Sequence, residues 1–343
     1  MRCTFTVSED KSQHFLTSAR ARTLKVKRVA RMSEEEAVDA FVALRYAETE
    51  GEPFCPHCQC SAVYQSNRNV KNRKTGKVVK KLRIFKCASC LRQFSPTSQT
   101  IFASRKLEYR DILLAIALWT NGAKGTSALE MTRHLGVQYK TAFVLFHKLR
   151  EAMGAQVHAE RLEGEIEMDG AYFGGYVKPS TRKAGRRDRR KLSNQSGKRK
   201  CITVMRERNG RTRPFVCSEL EGANLAPQII KPGSILYADE AKSYDRLHAL
   251  FDIKRIDHSK SYAEGDISTN HAESFHSRVR RAEQGVYHHI SDKTQAYGDE
   301  MAWRENNRRL SNGEQFLALA SAGLHHPVSR QWKGYWQRRK EAA

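Results

Sequence analysis

No run of about 18 apolar residues occurs in this 343-residue chain, which excludes a hydrophobic membrane-spanning helix. The basic segment Met1 to Arg31 lacks the apolar core of a secretory leader, so a cytoplasmic, soluble protein is expected. Acidic charge is scarce. Asp and Glu number 37 against 61 Lys and Arg, a formal net charge of +24, and a field of that size repels itself unless a polyanion offsets it. Nucleic acid is the expected partner. A membrane surface is disfavoured because the basic residues sit in polar stretches without an opposing apolar face. Internal repeats are absent as well, and the eight cysteines do not suggest a disulfide framework, since five fall between Cys55 and Cys90 in a pattern that suits metal in a reduced compartment. Hydrophobic content of 39% with 29% charged residues is ordinary for a globular chain long enough for two or three domains.

The chain divides by pattern. Residues 1–50 read as a loosely ordered basic arm and a helix, in which Ser33 and Glu36 form a capping box and Ala37, Phe41 and Leu44 keep helical spacing. Residues 51–100 alternate short apolar pairs with turns. Residues 105–158 turn helical, with Ile112, Ile116 and Trp119 on one face and Phe143, Phe146 and Leu149 on another. Residues 163–312 begin with strand-like runs (Glu165 to Tyr172, Cys201 to Glu207, Arg213 to Leu220, Ser234 to Ala238) and continue into helices. That order suggests a mixed α/β sheet of the ribonuclease H type with flanking helices. The tract Lys178 to Lys200 holds eleven Lys or Arg against one Asp and is expected as an exposed loop, with Arg186, Arg187, Arg189 and Arg190 available to phosphates. Residues 313–343 read as a C-terminal tail without assignment.

Cys55-Pro-His-Cys58 and Cys87-Ala-Ser-Cys90 are two knuckles 28 residues apart, the arrangement by which four thiolates surround one Zn²⁺. The metal would supply folding energy that so apolar-poor a segment lacks. His57 and Cys60 are the neighbouring alternatives as ligands. Between the knuckles, Arg68 to Lys86 carries nine basic side chains and no acidic one, a hairpin suited to phosphates or to water alike.

Thr126 to Leu135, then Gly136-Val137, then Tyr139 to Met153 reads as helix, tight turn, helix. In a DNA reader, Gln138, Tyr139, Lys140 and Thr141 would face base edges, with His147, Lys148 and Arg150 on later turns; a plain helical hairpin fits the same pattern. Trp303, Trp332 and Trp336 have helical surroundings that suit a core better than base stacking.

Three carboxylates stand where a divalent-metal site needs them. Asp169 closes the run from Glu165 to Met168, and Asp239 closes the run from Ile235 to Ala238, so two strands would bring them to one sheet edge. Glu273 lies 34 residues after Asp239 in a helical stretch, with Asn270 one turn earlier as the rival third ligand and Arg280 two turns later on the same face. Such a set can hold two Mg²⁺ (or Mn²⁺) ions for in-line attack at a phosphodiester. Glu165 and Glu167 share the side of Asp169 and are candidates to support it, whereas Glu240 and Asp245 are bystanders.

From about Glu36 to Leu310 these features resemble the bacterial insertion-sequence DDE transposases with an N-terminal zinc ribbon. The resemblance is carried by the two knuckles, the stretch Thr100-Ile101-Phe102 leading to Trp119, Gly136 to Ala142, Asp169 with Gly174-Gly175, and Tyr237 to Glu240. It continues through Asn270 to Arg281, Gly285 to His289, and Glu300 to Arg304. It implies that Asp169, Asp239 and Glu273 are the catalytic triad and that Arg280 stands where the family has a basic residue, often lysine. It further implies a homo-oligomer that cleaves and transfers strands at terminal inverted repeats in the nucleoid. Two positions depart: Gly170 stands where many relatives have glutamate, and some relatives use asparagine as the third residue, which keeps Asn270 open. A catalytically silent DNA-binding derivative and a nuclease without strand transfer are the alternative functions.

Overall fold

The computed structural model describes residues 14–71, 75–174, 199–239, 242–256 and 268–341. Arg186, Arg187, Arg189 and Arg190, together with Gly175 and Glu240, lie outside them. Helix α1 (Val26–Ala30) precedes α2 (Glu34–Arg45), which starts where expected: Ser33 Oγ accepts from the Glu36 amide at 3.1 Å while the Glu36 carboxylate accepts from the Ser33 amide at 2.7 Å. The stretch from Phe15 is more ordered than a loose arm. It forms two 3-10 turns and α1, buries Val29, and is tied to the far end of the chain by Leu24 N donating to Asn312 Oδ1 and Asn312 Nδ2 donating to Leu24 O. One buried valine in five helical residues leaves no period to read.

Strands β1 (Val63–Lys71) and β2 (Val78–Cys87) form an antiparallel hairpin beside the two-residue β3 (Gln93–Phe94). The buried centre of this unit is Cys55, Phe85, Cys87 and Phe94. Four side chains cannot stabilise a sheet unaided. The hairpin is fastened to α2 by Arg83, which pairs with Asp39 and with Glu35, so this one of the nine basic residues is already engaged.

Helices α3 (Tyr109–Asn121), α4 (Ala128–Leu135) and α5 (Tyr139–Val157) follow. Gly136 ends α4 at φ +64°, a left-handed conformation that a side chain resists, and thereby turns the chain into α5.

The second sheet contains β4 (Glu165–Phe173), β5 (Lys200–Glu207), β6 (Thr212–Phe215), β7 (Ile235–Asp239) and β8 (Asp252–Ile256) in the order β6-β5-β4-β7-β8. Antiparallel pairing joins β4, β5 and β6, and parallel pairing joins β4, β7 and β8, which is the ribonuclease H arrangement. The run expected to stay extended to Leu220 stops at Phe215, because Ser218 and Glu221 form a second capping box and open α6 (Glu219–Ile229). Helix α7 (Asn270–Ala282) continues through one π-helical turn (Glu283–Tyr287), and α8 (Thr294–Asn306), α9 (Asn312–His325) and α10 (Tyr335–Glu341) complete the chain. Residues beyond 313 therefore include a packed helix rather than only a tail: Phe316, Leu319, Ala320 and Leu324 of α9 are buried.

Residues from α2, α3, α5, α7, α8 and α9 and one face of β4 and β5 share a single hydrophobic core. The other face of the sheet, with α6, has its own. Among the described residues no helix is long and apolar enough to cross a membrane.

Candidate active site and zinc centre

The four knuckle cysteines converge. Their sulfurs lie within 4.8 Å of one another, with Cys55 and Cys90 at 3.6 Å and Cys58 and Cys87 at 3.5 Å. The amides of His57 and Cys90 each donate to a knuckle sulfur at 3.4 Å, which favours the thiolates a metal requires. His57 is turned away, with Nδ1 2.7 Å from Gln99 Nε2, and Cys60 lies outside the cluster. The donor set is that of structural Zn²⁺.

The acidic site is assembled by the second sheet. Parallel register pairs Glu167 with Tyr237, the last pair of that ladder. Two residues further on, Asp239 closes β7, whereas Asp169 lies in the middle of β4, which runs on to Phe173 rather than ending at Asp169 as its sequence run suggests. Glu273 approaches from the first turn of α7. Burial pushes the Asp169 carboxyl up to about 7, aided by the negative charges of Asp239, Glu273 and Glu219, while the Gly170 amide donating at 2.8 Å opposes the rise. A partly buried carboxylate facing three like charges is a poor resident of an ion-free protein and a good ligand for a hard cation. The residues present thus suit Mg²⁺ or Mn²⁺.

The position of α7, and with it Glu273, depends on Glu167. That side chain is fully buried and accepts from the His271 and Ala272 amides at 2.8 and 3.0 Å, from His271 Nδ1 at 3.0 Å and from Arg208 Nε at 3.2 Å. A carboxylate at a helix N-terminus meets both the unsatisfied amides and the positive end of the dipole. Arg208 also donates to Ser268 O, and Arg206 donates to His271 O, so the start of α7 is held through its carbonyls too. Glu165 remains half exposed on the rim, paired with Arg208 at 3.3 Å. Buried His276 places Nε2 3.5 Å from Asp169 Oδ2, and burial drives its pKa down to about 4, so the ring is neutral. Arg280 is exposed two turns from Glu273, its guanidinium 5.4 Å from the Phe173 ring. Asn270, the first residue of α7, is exposed. Asp245 pairs with Arg255 at 2.7 Å.

Two family models match the chain: the ISXO2-like transposase domain over residues 161–306, and the transposase zinc-ribbon domain over residues 32–93. The protein is an insertion-sequence transposase with an N-terminal zinc ribbon. It matches none of the curated proteins with which it was compared.

In this transposase the helix-turn-helix exposes less than its pattern suggests. Gln138, Tyr139 and Lys140 are exposed and Thr141 is half-buried. Gln138, Lys140 and Thr141 line a cleft of about 530 Å³ whose opposite wall includes Lys333 to Gln337. His147 and Arg150, on later turns, are buried and unavailable to DNA, and Lys148 is half-buried. Arg150 donates to Glu300 at 2.8 Å, and Glu300 also accepts from Trp119 Nε1, Tyr287 Oη and Arg304 Nε. The sequence stretches around Trp119, Gly285 to His289 and Glu300 to Arg304 therefore meet in one buried ionic network that joins α3, α5 and α8. No spacing rule links residues so far apart in the chain. Trp303 and Trp332 are core residues, as their helical setting suggests.

Proposed function

We propose that this transposase cleaves DNA and transfers strands at the terminal inverted repeats of its own insertion sequence. Asp169, Asp239 and Glu273 hold two Mg²⁺ or Mn²⁺ ions, which when bound supply an activated water or 3′-hydroxyl and offset charge on the entering and leaving oxygens. The supporting observation is the placement of these three carboxylates on β4, β7 and α7, where burial first, and the negative charges of Asp239 and Glu273 after it, raise Asp169 to about 7.

Each protein group has a separate task. Asp169 and Asp239, fixed on adjacent parallel strands, set the spacing of the ligands, and Glu273 completes the set from a helix that Glu167 anchors. Asn270 lies one turn earlier as the alternative third ligand. Arg280, on the same helix, offers its cation to the scissile strand's phosphate. Residues 163–312 form the catalytic unit. Residues 51–100 and 105–158 recognise the element ends, with Gln138, Tyr139, Lys140 and Thr141 reading base edges, Arg186, Arg187, Arg189 and Arg190 gripping phosphates, and the active species a homo-oligomer on the bacterial nucleoid.

The test uses the inverted repeats that flank the coding region as substrate for the purified chain with Mg²⁺. Nicking at the repeat end, followed by joined products when pre-cleaved ends are supplied, is the expected result. Asp169→Asn should reduce both by more than about 100-fold, beyond the loss typical of a group outside the ligand set. Absence of nicking would reduce the protein to a DNA binder, and nicking without joined products would make it a nuclease.

A further inference from the structure

Strand β4 presents its two faces to different helices. Glu167 meets the start of α7, whereas Ile166 and Met168 pack with Ala223 and Ala226 of α6. Gly170 belongs to the α6 side by alternation, and a Cβ built on it would lie 2.6 Å from both Cγ and Oε1 of Glu219. The first residue of α6 thus lays its side chain across the backbone immediately after Asp169, in space that exists only because position 170 is glycine. Among the described residues no cation pairs with the Glu219 carboxylate. Burial, and after it the charge of Asp239, raise its proton affinity.

An acidic cluster alone would mean little, but a second feature points to a ligand. The Tyr244 side chain is fully buried, and its hydroxyl has no hydrogen-bond partner among the described residues. The carboxylates that act on that hydroxyl are Glu219, Asp239 and Asp169, in that order. A buried donor is left in the field of three carboxylates, and an oxygen of a ligand's shell would satisfy it.

We propose that Glu219 is a fourth carboxylate of the metal pocket, entering from the face of the sheet opposite to Glu273. The inference rests on the reading of Asp169, Asp239 and Glu273 as the ligand set. Glu219 completes the surroundings of an ion held between Asp169 and Asp239, with Tyr244 behind it and Gly170 as the clearance it requires.

Manganese binding to the full-length, zinc-loaded chain tests this, read by electron paramagnetic resonance and by the rise in melting temperature on adding Mn²⁺. Glu219→Gln keeps the volume and removes the charge. It should weaken Mn²⁺ binding about 10- to 100-fold and shift the Mg²⁺ requirement for nicking upward by a similar factor. In metal-free protein the same variant should melt no lower than wild type, because a like charge has been removed; a purely structural Glu219 would lower it. Glu221→Gln, which disturbs the cap of the same helix, should leave Mn²⁺ binding unchanged. If Glu219→Gln binds Mn²⁺ like wild type while Asp169→Asn and Glu273→Gln lose it, the role of Glu219 is refuted and the triad stands. If all three variants bind like wild type, the triad reading and this inference fall together.

Discussion

Glu167 shows how a single buried charge can set the geometry of a site it does not enter. Its carboxylate accepts two amides at the start of α7 and is faced by His271 and Arg208, so every lone pair is engaged by a group that defines where Glu273 will be. Glu167→Gln keeps the shape but turns one acceptor oxygen into a donor facing helix amides. A drop of about 10- to 100-fold in nicking is expected, with DNA affinity unchanged, because the ligand set would be displaced rather than removed. Gel shifts beside nicking rates would check it; a parallel loss of both would mean that the helix simply melts. The choice between Asn270 and Glu273 also belongs to this scale. Asn270→Ala should retain most of the activity and Glu273→Gln should lose it, and the reverse pattern would assign the third ligand to the asparagine.

Among the elements, the zinc ribbon has little apolar contact of its own, whereas the buried Glu300 network lies within the large shared core. The ribbon's core of Cys55, Phe85, Cys87 and Phe94 is small, so chelation should unfold it locally. Hydrogen exchange with a zinc chelator is expected to deprotect β1 and β2 while α3 and α5 stay protected; uniform protection would show that the metal is dispensable. The Glu300 carboxylate, which burial alone would push up, is held below its ordinary value by Arg150 and Arg304. Glu300→Ala would leave two buried guanidiniums without their partner, and a loss of about 3 to 5 kcal/mol is expected from chemical denaturation. The ribbon was legible in the sequence because two knuckles are a local pattern with a mechanism. Capping boxes were equally local: the one at Ser33 is read correctly, whereas the one at Ser218 is hidden behind the β-prone run Arg213 to Val216. The Glu300 network is another matter, since its members span residues 119 to 304 and only the folded chain brings them together. The same holds for Glu219, which nothing in its own neighbourhood distinguishes from a helix-capping glutamate.

For the molecule as a whole, the shared core matters more than the linear division into units. Sequence periodicity shows which residues of each helix are apolar but not which helix they meet, so α2, α5, α9 and the sheet face read as separate segments although they bury one another. His147 sits in that shared interior on α5, its ring 4.3 Å from and stacked on Trp332 and edge-on to Tyr297, with neither ring nitrogen bonded among the described residues. Burial, with Arg150 and Lys293 nearby, lowers its pKa to about 2 from an ordinary 6.5, so the fold tolerates only the neutral ring. The sign follows directly: below pH 6.5 the unfolded chain takes up a proton that the native state refuses, and stability falls as pH falls. The slope for this one residue approaches about 1.4 kcal/mol for each pH unit below 6.5. His147→Phe preserves a ring that can stack on Trp332 and removes the titration, so the difference in unfolding free energy between pH 7.5 and pH 5.5 should shrink by roughly 1 to 1.4 kcal/mol. Denaturation curves at the two pH values decide it, and an unchanged difference would mean that His147 is protonated or solvated in the native protein and that the packing of α5 against the C-terminal aromatic residues is looser than described.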